Sequence, residues 1–427
     1  MSEKFDSAEF NQLLNKLFSL QRRGIKVGLE HTKKLLHICG DPHNNFKSVH
    51  IAGTNGKGST AAMLASILIT AGYKVGLYTS PHLLNFNERI RINGIPISDI
   101  DIVDFMTQFN AAIEDIQATF FETTTALAFH HFSNNQVEIA IVETGLGGRL
   151  DSTNVLTPKL VVITPIAYDH TAILGNSLLK IALEKGGIIK KNTPLVLASQ
   201  GATVKEVLSD VALSKQSEIF HCDHGSLKDI LVSPSGTKFN WEKKDYFTSL
   251  IGDHQAGNAV LAIEASKQFD NNVNYEIIKK GLTNVVWPGR LQKMSITQPI
   301  YYDVAHNAHG IQAVLETLSK MYTKKPIGLI ALKADKELEY IISKIKNMFK
   351  ILVVTSLPEM KLMPACELQA ALNNFGIEAE MESDLFFALK KIKKNSYTDI
   401  PRIIFGSHYI AEPVFKEFDF SFDNGVI

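Results

Sequence analysis

The sequence predicts an α/β protein built on a mostly parallel sheet covered by helices, followed by a smaller domain of the same class. Three observations carry that expectation. Short β-branched runs alternate with longer helical patterns along nearly the whole chain. Several strand runs are continuously apolar, as strands buried on both faces are. The chain has 427 residues, 45% hydrophobic and 21% charged, which is too apolar for wholesale disorder and long enough for two or three domains.

Taken in order, Ser48–Ala52 reads as a strand and Ser59–Ala71 as the helix that follows it. Lys74–Tyr78 reads as a strand, Ile100–Asp115 and Thr123–Ser133 as helices, and Val137–Glu143 and Leu160–Pro165 as buried strands. Parallel strands need crossovers, and the intervening helices supply them. Residues 210–247 are polar with short alternating pieces, which predicts an antiparallel excursion or a decorated edge. A helical pattern returns at Asp253, and Trp287-Pro288-Gly289-Arg290 interrupts the chain as a candidate boundary. A second series follows, with strands at Ile300–Val304, Ile327–Leu332, Ile351–Thr355 and Arg402–Phe405. The expected domains are therefore 1–292 and 293–427.

Composition excludes several function classes. Lys and Arg total 44 and so do Asp and Glu, so no global basic excess points to nucleic acid. The three cysteines lie far apart, without a C-x-x-C pair. The amino terminus lacks the apolar stretch of a secretory leader, and no run long enough to span a membrane occurs. The cytosol is the expected compartment.

The strongest motif is His50-Ile51-Ala52-Gly53-Thr54-Asn55-Gly56-Lys57-Gly58-Ser59-Thr60, placed between a strand and a helix. Glycines let backbone wrap phosphates, and helix-start N–H groups attract anions. Lys57 would reach the β- and γ-phosphates of a nucleotide, and Ser59 could help hold Mg²⁺. The strict pattern wants Gly where Ile51 stands and a hydroxyl directly after the lysine, where Gly58 intervenes, so this is a variant P-loop. Glu143 closes a predicted strand at its carboxyl end, where a carboxylate can hold Mg²⁺. By residue type alone it is equally a solvated strand end, His170 is either a metal ligand or a core histidine, and Lys185 reads as a surface lysine. Asn258, Arg290, Asp303 and His306 stand in short polar clusters that are individually weak; Arg290 could pair with a phosphate.

Together these pieces resemble the folylpolyglutamate synthase/dihydrofolate synthase family of the Mur-ligase-like group. The resemblance runs from about residue 20 to 410 through HIAGTNGKGST, TSPHL, NERIRING, ETGLGGRLDSTN, EKGGI, GDHQAGNA, WPGR and DVAHN. It implies a P-loop-type sheet domain followed by a Rossmann-like glutamate-ligase domain. It implies an ATP-dependent ligase that phosphorylates a pteroyl carboxylate and joins it to L-glutamate, and the expected enzyme is bifunctional, taking both dihydropteroate and a reduced folate as acceptors. By the same resemblance, residues 53–60 bind the phosphates. Ser80 and Glu143 hold one Mg²⁺, and His170 and a carbamylated Lys185 hold a second. Asn258 lies near adenine and Arg290 near the phosphates. Asp303 and His306 belong to the domain that closes on the nucleotide, Asn85–Arg91 forms an Ω-type loop beside the folate, and the protein is a monomer. Gly186 and Gly187 would leave room for the enlarged lysine. Two departures stand out: Val304 replaces a glycine that could take positive φ, and Gly186 replaces an alanine. Competing expectations are a folylpolyglutamate synthase only, another Mur-type amino-acid ligase, and a small-molecule P-loop kinase that needs no glutamate.

Overall fold

In the computed structural model, residues 7–24, 28–334, 338–357, 362–394, 399–421 and 427 are described. The first six residues of the amphipathic amino-terminal stretch lie outside them. The described residues fall into two compact units. The first comprises the chain to Ser226, Asn258–Asn284 and Ile427; the second comprises Leu227–Gly257 and the described part of 285–424.

The first unit is organised by eight strands: β1 Lys47–Ala52, β2 Val75–Tyr78, β3 Ile90–Ile92, β4 Ile95–Pro96, β5 Ile139–Glu143, β6 Leu160–Ile163, β7 Leu195–Ala198 and β8 Ile219–Cys222. Their order is β4-β3-β2-β5-β1-β6-β7-β8, parallel from β2 to β8, with β3 and β4 added antiparallel at one edge. All four or five residues of β2, β5, β6 and β7 are buried, which explains their uninterrupted apolar reading. Register places Ser48, His50 and Ala52 of β1 on the same face as Ala140 and Val142 of β5 and Val161 and Ile163 of β6. One flank of that face buries an aromatic cluster that includes Phe105, Phe120, Phe129 and Phe132. The other flank buries Ala182, Ile188, Leu195 and Leu197.

The helix Lys57–Thr70 is buried without a break from Gly58 to Leu68. Against it runs the helix Tyr275–Asn284, close enough that a Cβ on Gly281 would meet the Ile67 backbone at 2.6 Å. Ser66 Oγ donates to the Gly281 carbonyl at 2.7 Å, tying the two helices together.

The polar middle segment resolves into two pieces. Ile219–Cys222 is a parallel edge strand of the large sheet. The antiparallel excursion begins only at β9 Leu227–Ser233, and continues through β10 Gly236–Trp241 and β11 Lys244–Thr248. This three-stranded sheet belongs to the second unit, whereas the sequence places it with the first 292 residues. The other sheet of that unit uses β12 Gln292–Lys293, β13 Ile300–Asp303, β14 Ile327–Ile330, β15 Ile351–Ser356, β16 Glu380–Asp384 and β17 Arg402–Phe405. Its order is β12-β13-β17-β14-β15-β16, with only β12 antiparallel. The sequence does not predict β16, because EMESD is a polar, mostly exposed edge strand with no apolar period.

Candidate active site

The sheet of the first unit brings Gly53, Glu143 and Thr164 to the carboxyl ends of β1, β5 and β6, the usual ligand edge of an open α/β sheet. Gly53 leaves β1 with φ +147°, and a Cβ there would lie 1.8 Å from Thr164 Oγ1. Gly56 has φ +89°, and its Cβ would lie 2.3 Å from Asn258 Oδ1. Both positions therefore require glycine, and Asn258 is placed directly against the loop. Thr54 and Asn55 N–H groups donate to the Pro165 carbonyl at 3.0 and 3.3 Å. Thr54 Oγ1 donates to Ala167 O at 3.0 Å and accepts from Ala167 N at 3.1 Å. The loop is thus latched to the segment after β6. No side chain caps the helix that opens at Lys57, since its N-cap is Gly56, and that end favours an anion. Gly58, Ser59 and Thr60 are buried in its first turn.

Lys57 Nζ donates to Thr54 O at 3.2 Å and stands 3.7 Å from Glu143 Oε1. Glu143, 5% exposed, also accepts from Ser80 N at 3.2 Å. The structure therefore brings Lys57, Ser80 and Glu143 together. Lys185, also 5% exposed, lies on the helix Leu178–Gly186, and its Nζ donates to the Gly53 carbonyl at 2.7 Å. Burial, and then the nearby Lys57 charge, lower its pKa to about 7 against the pull of Asp169, Asp151 and Glu143. Lys185 is accordingly a buried amine facing the phosphate loop, not a surface lysine.

His170 is placed differently. It has φ +52°, begins the short helix Thr171–Leu174, and is 45% exposed, with Nε2 3.9 Å from Asp169 Oδ1. Asp169, to which the sequence assigns no role, is one of three carboxylates, with Asp151 and Glu143, whose charge reaches Lys185. Among the described residues no three His, Cys, Asp or Glu side chains form a metal-binding group. The Ser59, Ser80 and Glu143 oxygens still suit Mg²⁺, which takes few protein ligands and completes its shell with water and phosphate. A lysine ammonium cannot ligate a metal, so Lys185 fits a metal site only after modification. The adjacent glycines serve packing instead of room for that modification. A Cβ on Gly187 would lie 2.4 Å from Arg149 Cβ, and one on Gly186 would press on Leu208 at 3.1 Å.

In the second unit, Asp303 is buried at the end of β13 and accepts from Leu291 N and Ala305 N, each at 2.7 Å. Burial raises its carboxyl pKa, and Arg290 opposes that shift. Arg290 also acts on the buried His254, whose pKa falls to about 4, chiefly through burial. His306 Nδ1 lies 2.9 Å from Val304 O. Val304 does not take positive φ, and its N–H donates to the carbonyl of Gly289, which has φ +71°, at 3.0 Å.

Residues that sequence reasoning misses line a cavity of about 250 Å³ in the first unit, among them Phe121, Glu122, Leu146, Asp151 and Ser152. Asp151 accepts from Leu146 N at 2.8 Å and Thr153 N at 3.0 Å, while burial pushes its carboxyl pKa up. Its only sequence signal is its place in GLGGRLDSTN. The stretch expected as an Ω-type loop, Asn85–Arg91, is instead a short 3-10 helix, Phe86–Arg89, that runs directly into β3; buried Glu88 fixes its start by accepting from the Leu83, Leu84 and Asn85 N–H groups at 2.8, 2.9 and 2.6 Å. Arg89 follows it, 5.3 Å over the Phe120 ring.

Residues 51–266 match the Mur ligase middle domain, and residues 289–400 match the Mur ligase glutamate ligase domain. The dihydrofolate synthase/folylpolyglutamate synthase of Bacillus subtilis (strain 168) is 39% identical over 76% of this chain and 80% of its own. The folylpolyglutamate synthase of Lacticaseibacillus casei is 34% identical over 89% and 92%. Among solved structures, Mycobacterium tuberculosis folylpolyglutamate synthase complexed with ADP and AMPPCP superposes with a TM-score of 0.88 at 28% identity, covering 97% of this chain and 99% of that one. E. coli FolC in complex with DHPP and ADP gives 0.84 at 26% identity, covering 95% and 97%.

Proposed function

Because the chain belongs to the folylpolyglutamate synthase/dihydrofolate synthase family of Mur-type ligases, we propose that the loop, carboxylate and buried amine at the carboxyl edge of its first sheet are its reaction centre. It is an ATP-dependent, ADP-forming ligase that adds L-glutamate to a pteroyl carboxylate, in both dihydrofolate synthase and folylpolyglutamate synthase reactions. The observation that carries the site is Lys57, held between Thr54 O and Glu143 beside a glycine loop that neighbouring side chains leave no room to substitute.

The chemistry follows from a poor electrophile. A carboxylate must lose a strongly basic oxygen before an amine can replace it. An acceptor carboxylate oxygen therefore bonds to the γ-phosphorus of ATP, the bond to the β–γ bridging oxygen breaks, and ADP departs. The glutamate nitrogen then attacks the acyl carbon, the carbon–oxygen bond to phosphate breaks, and the nitrogen loses a proton to solvent. Phosphoryl transfer depends mainly on positioning and charge neutralisation. Lys57 and the uncapped helix start supply fixed positive charge there, with the N–H groups of the first helical turn around the phosphates, since those of Thr54 and Asn55 are taken by the Pro165 carbonyl. Mg²⁺ adds further neutralisation when bound, and Ser59, Ser80 and Glu143 would hold it. His170 and Lys185 are assigned to a second Mg²⁺ once Lys185 carries a carbamate. Asn258 is assigned to the adenine, and Arg290, Asp303 and His306 of the second unit to the nucleotide.

The cavity beside Phe121 and Asp151 is assigned to the pteroyl head: an aromatic side chain and buried carboxylates suit a flat heterocycle rich in N–H donors. No described helix is long and apolar enough to cross a membrane, and we place the protein in the cytosol as a monomer. One assay tests the reading: purified protein with Mg-ATP and glutamate, given dihydropteroate or a reduced folate, with products weighed by mass spectrometry. Glutamate-dependent mass addition to both acceptors is expected. Sustained ADP release over many turnovers without glutamate would favour a kinase.

A further inference from the structure

His50 is the polar member of an apolar row. It stands on β1 between Val142 of β5 and Val161 of β6, with no solvent exposure. Its Nε2 lies 2.8 Å from Thr153 Oγ1, and its Nδ1 has no hydrogen-bond partner. Thr153 Oγ1 in turn bonds Asp151 Oδ1.

Donor counting sets the direction of this chain. A hydroxyl carries one hydrogen, and Asp151, which accepts a backbone N–H on each of its oxygens, has the hydrogen-bond pattern of an ionised carboxylate, which only accepts. Thr153 therefore donates to Asp151 and has only lone pairs left for His50, so Nε2 carries the imidazole proton. The other tautomer would leave a buried N–H at Nδ1 without an acceptor, a rarer and costlier fault than an unpaired acceptor. Burial and Lys190 keep the ring neutral, with its pKa near 3.

We propose that His50 is a positioning residue for substrate recognition, locking the Thr153 hydroxyl onto Asp151 so that this carboxylate stays a fixed acceptor at the cavity wall. The inference rests on the reading that the cavity takes the pteroyl head. The Leu146 and Thr153 N–H groups that hold Asp151 belong to the backbone and cannot swing away. The Thr153 hydroxyl can rotate, and the His50 Nε2–H prevents it, since turning would set two hydrogens against each other. A heterocycle presenting adjacent N–H donors, as an amidine does, is the group such a carboxylate would pair with.

The test is calorimetric binding of dihydropteroate to the full-length protein, alongside KM and kcat, in His50→Leu, His50→Gln, Thr153→Val and Asp151→Asn. His50→Leu and Thr153→Val should each weaken acceptor binding about tenfold, the loss of one hydrogen bond to a charged network. Acceptor KM should rise in parallel, with kcat and the KM for ATP unmoved. His50→Gln, whose amide still donates, should recover most of the affinity. Adding His50→Leu to Asp151→Asn should weaken binding no further. If His50→Leu does not fold, Thr153→Val carries the same test. Wild-type binding in Asp151→Asn would overturn the cavity assignment itself, and this inference with it. Weak binding in Asp151→Asn beside wild-type binding in His50→Leu and Thr153→Val would overturn the relay alone. So would a loss of ATP affinity as large as the loss of acceptor affinity.

Discussion

Lys185 Nζ and the carbonyl of Gly53 meet at 2.7 Å, so a buried amine is hydrogen-bonded to the first residue of the phosphate loop. Its pKa of about 7 leaves a large neutral fraction at physiological pH. A neutral amine can attack CO₂, forming an N–C bond and releasing a proton, and the carbamate nitrogen keeps one hydrogen for Gly53.

Lys185→Ala should therefore lose most ligase activity, on the order of 10²-fold or more, as for removal of a single electrostatic group. Acetate supplied in the assay should restore part of it. Carbon-13 NMR of wild-type protein in labelled bicarbonate should show a carbamate signal that the variant lacks. Wild-type turnover in the variant would end this reading.

The same amine predicts a pH-dependent stability difference. Its folded pKa, about 7, lies below the ordinary value of 10.5. Between those values the unfolded chain binds the extra proton, so stability rises with pH across that window, and below it the full cost of burying the ammonium remains. Lys185→Met should therefore be more stable than wild type below pH 7, with the advantage fading towards pH 10. Its upper bound is several kcal/mol, at about 1.36 kcal/mol per pH unit. Urea unfolding of both proteins at pH 6 and pH 9, in CO₂-free buffer, measures it. An advantage that grows with pH would contradict the assignment.

Lys57→Ala should lower kcat by about 10²–10³-fold if Lys57 neutralises the transferring phosphate. The lysine is 17% exposed and stands over a buried Glu143. Its loss should also cost about 1–3 kcal/mol of stability, because the carboxylate loses a partner. Single-turnover kinetics and denaturant unfolding separate the two effects. Near-normal turnover would mean that the loop does not hold the reacting phosphates.

Gly53→Ala should destabilise the protein by about 1–3 kcal/mol through overpacking against Thr164, with a further cost from its positive φ. Adding Thr164→Ala should relieve only the contact with Oγ1, because the residue-164 Cβ at 2.9 Å, its carbonyl at 3.0 Å and the backbone conformation all remain. Thermal unfolding of the single and double variants checks this; full recovery in the double variant would show that φ is unstrained.

Much of this protein is legible in its sequence because the signals are local. A glycine-rich turn between a buried strand and a helix, and an acidic strand end, are encoded within a few residues, so residues 53–60 and Glu143 stand out from the chain order alone. So does the parallel sheet, since strands buried on both faces leave continuous apolar runs. Other features have no local signature. Glu380–Asp384 pairs at a sheet edge through its backbone, which composition does not record. Gly186 and Gly187 look like room for a modified lysine, but their neighbours Leu208 and Arg149 come from other segments. Lys185 and His170 are opposite cases. Sequence alone allows a surface lysine and a buried histidine, yet packing buries the lysine against Gly53 and leaves the histidine exposed. Asp151 gains its importance from Thr153, Leu146 and, through Thr153, His50, which lies about a hundred residues earlier in the chain. The sequence by itself determined the buried parallel strands, the helices between them and where the phosphate loop lies, since these follow from short-range periodicity and backbone freedom. Only the tertiary structure decided which charges are desolvated and which side chains meet, because burial and pKa depend on neighbours that the fold, and not the chain order, supplies.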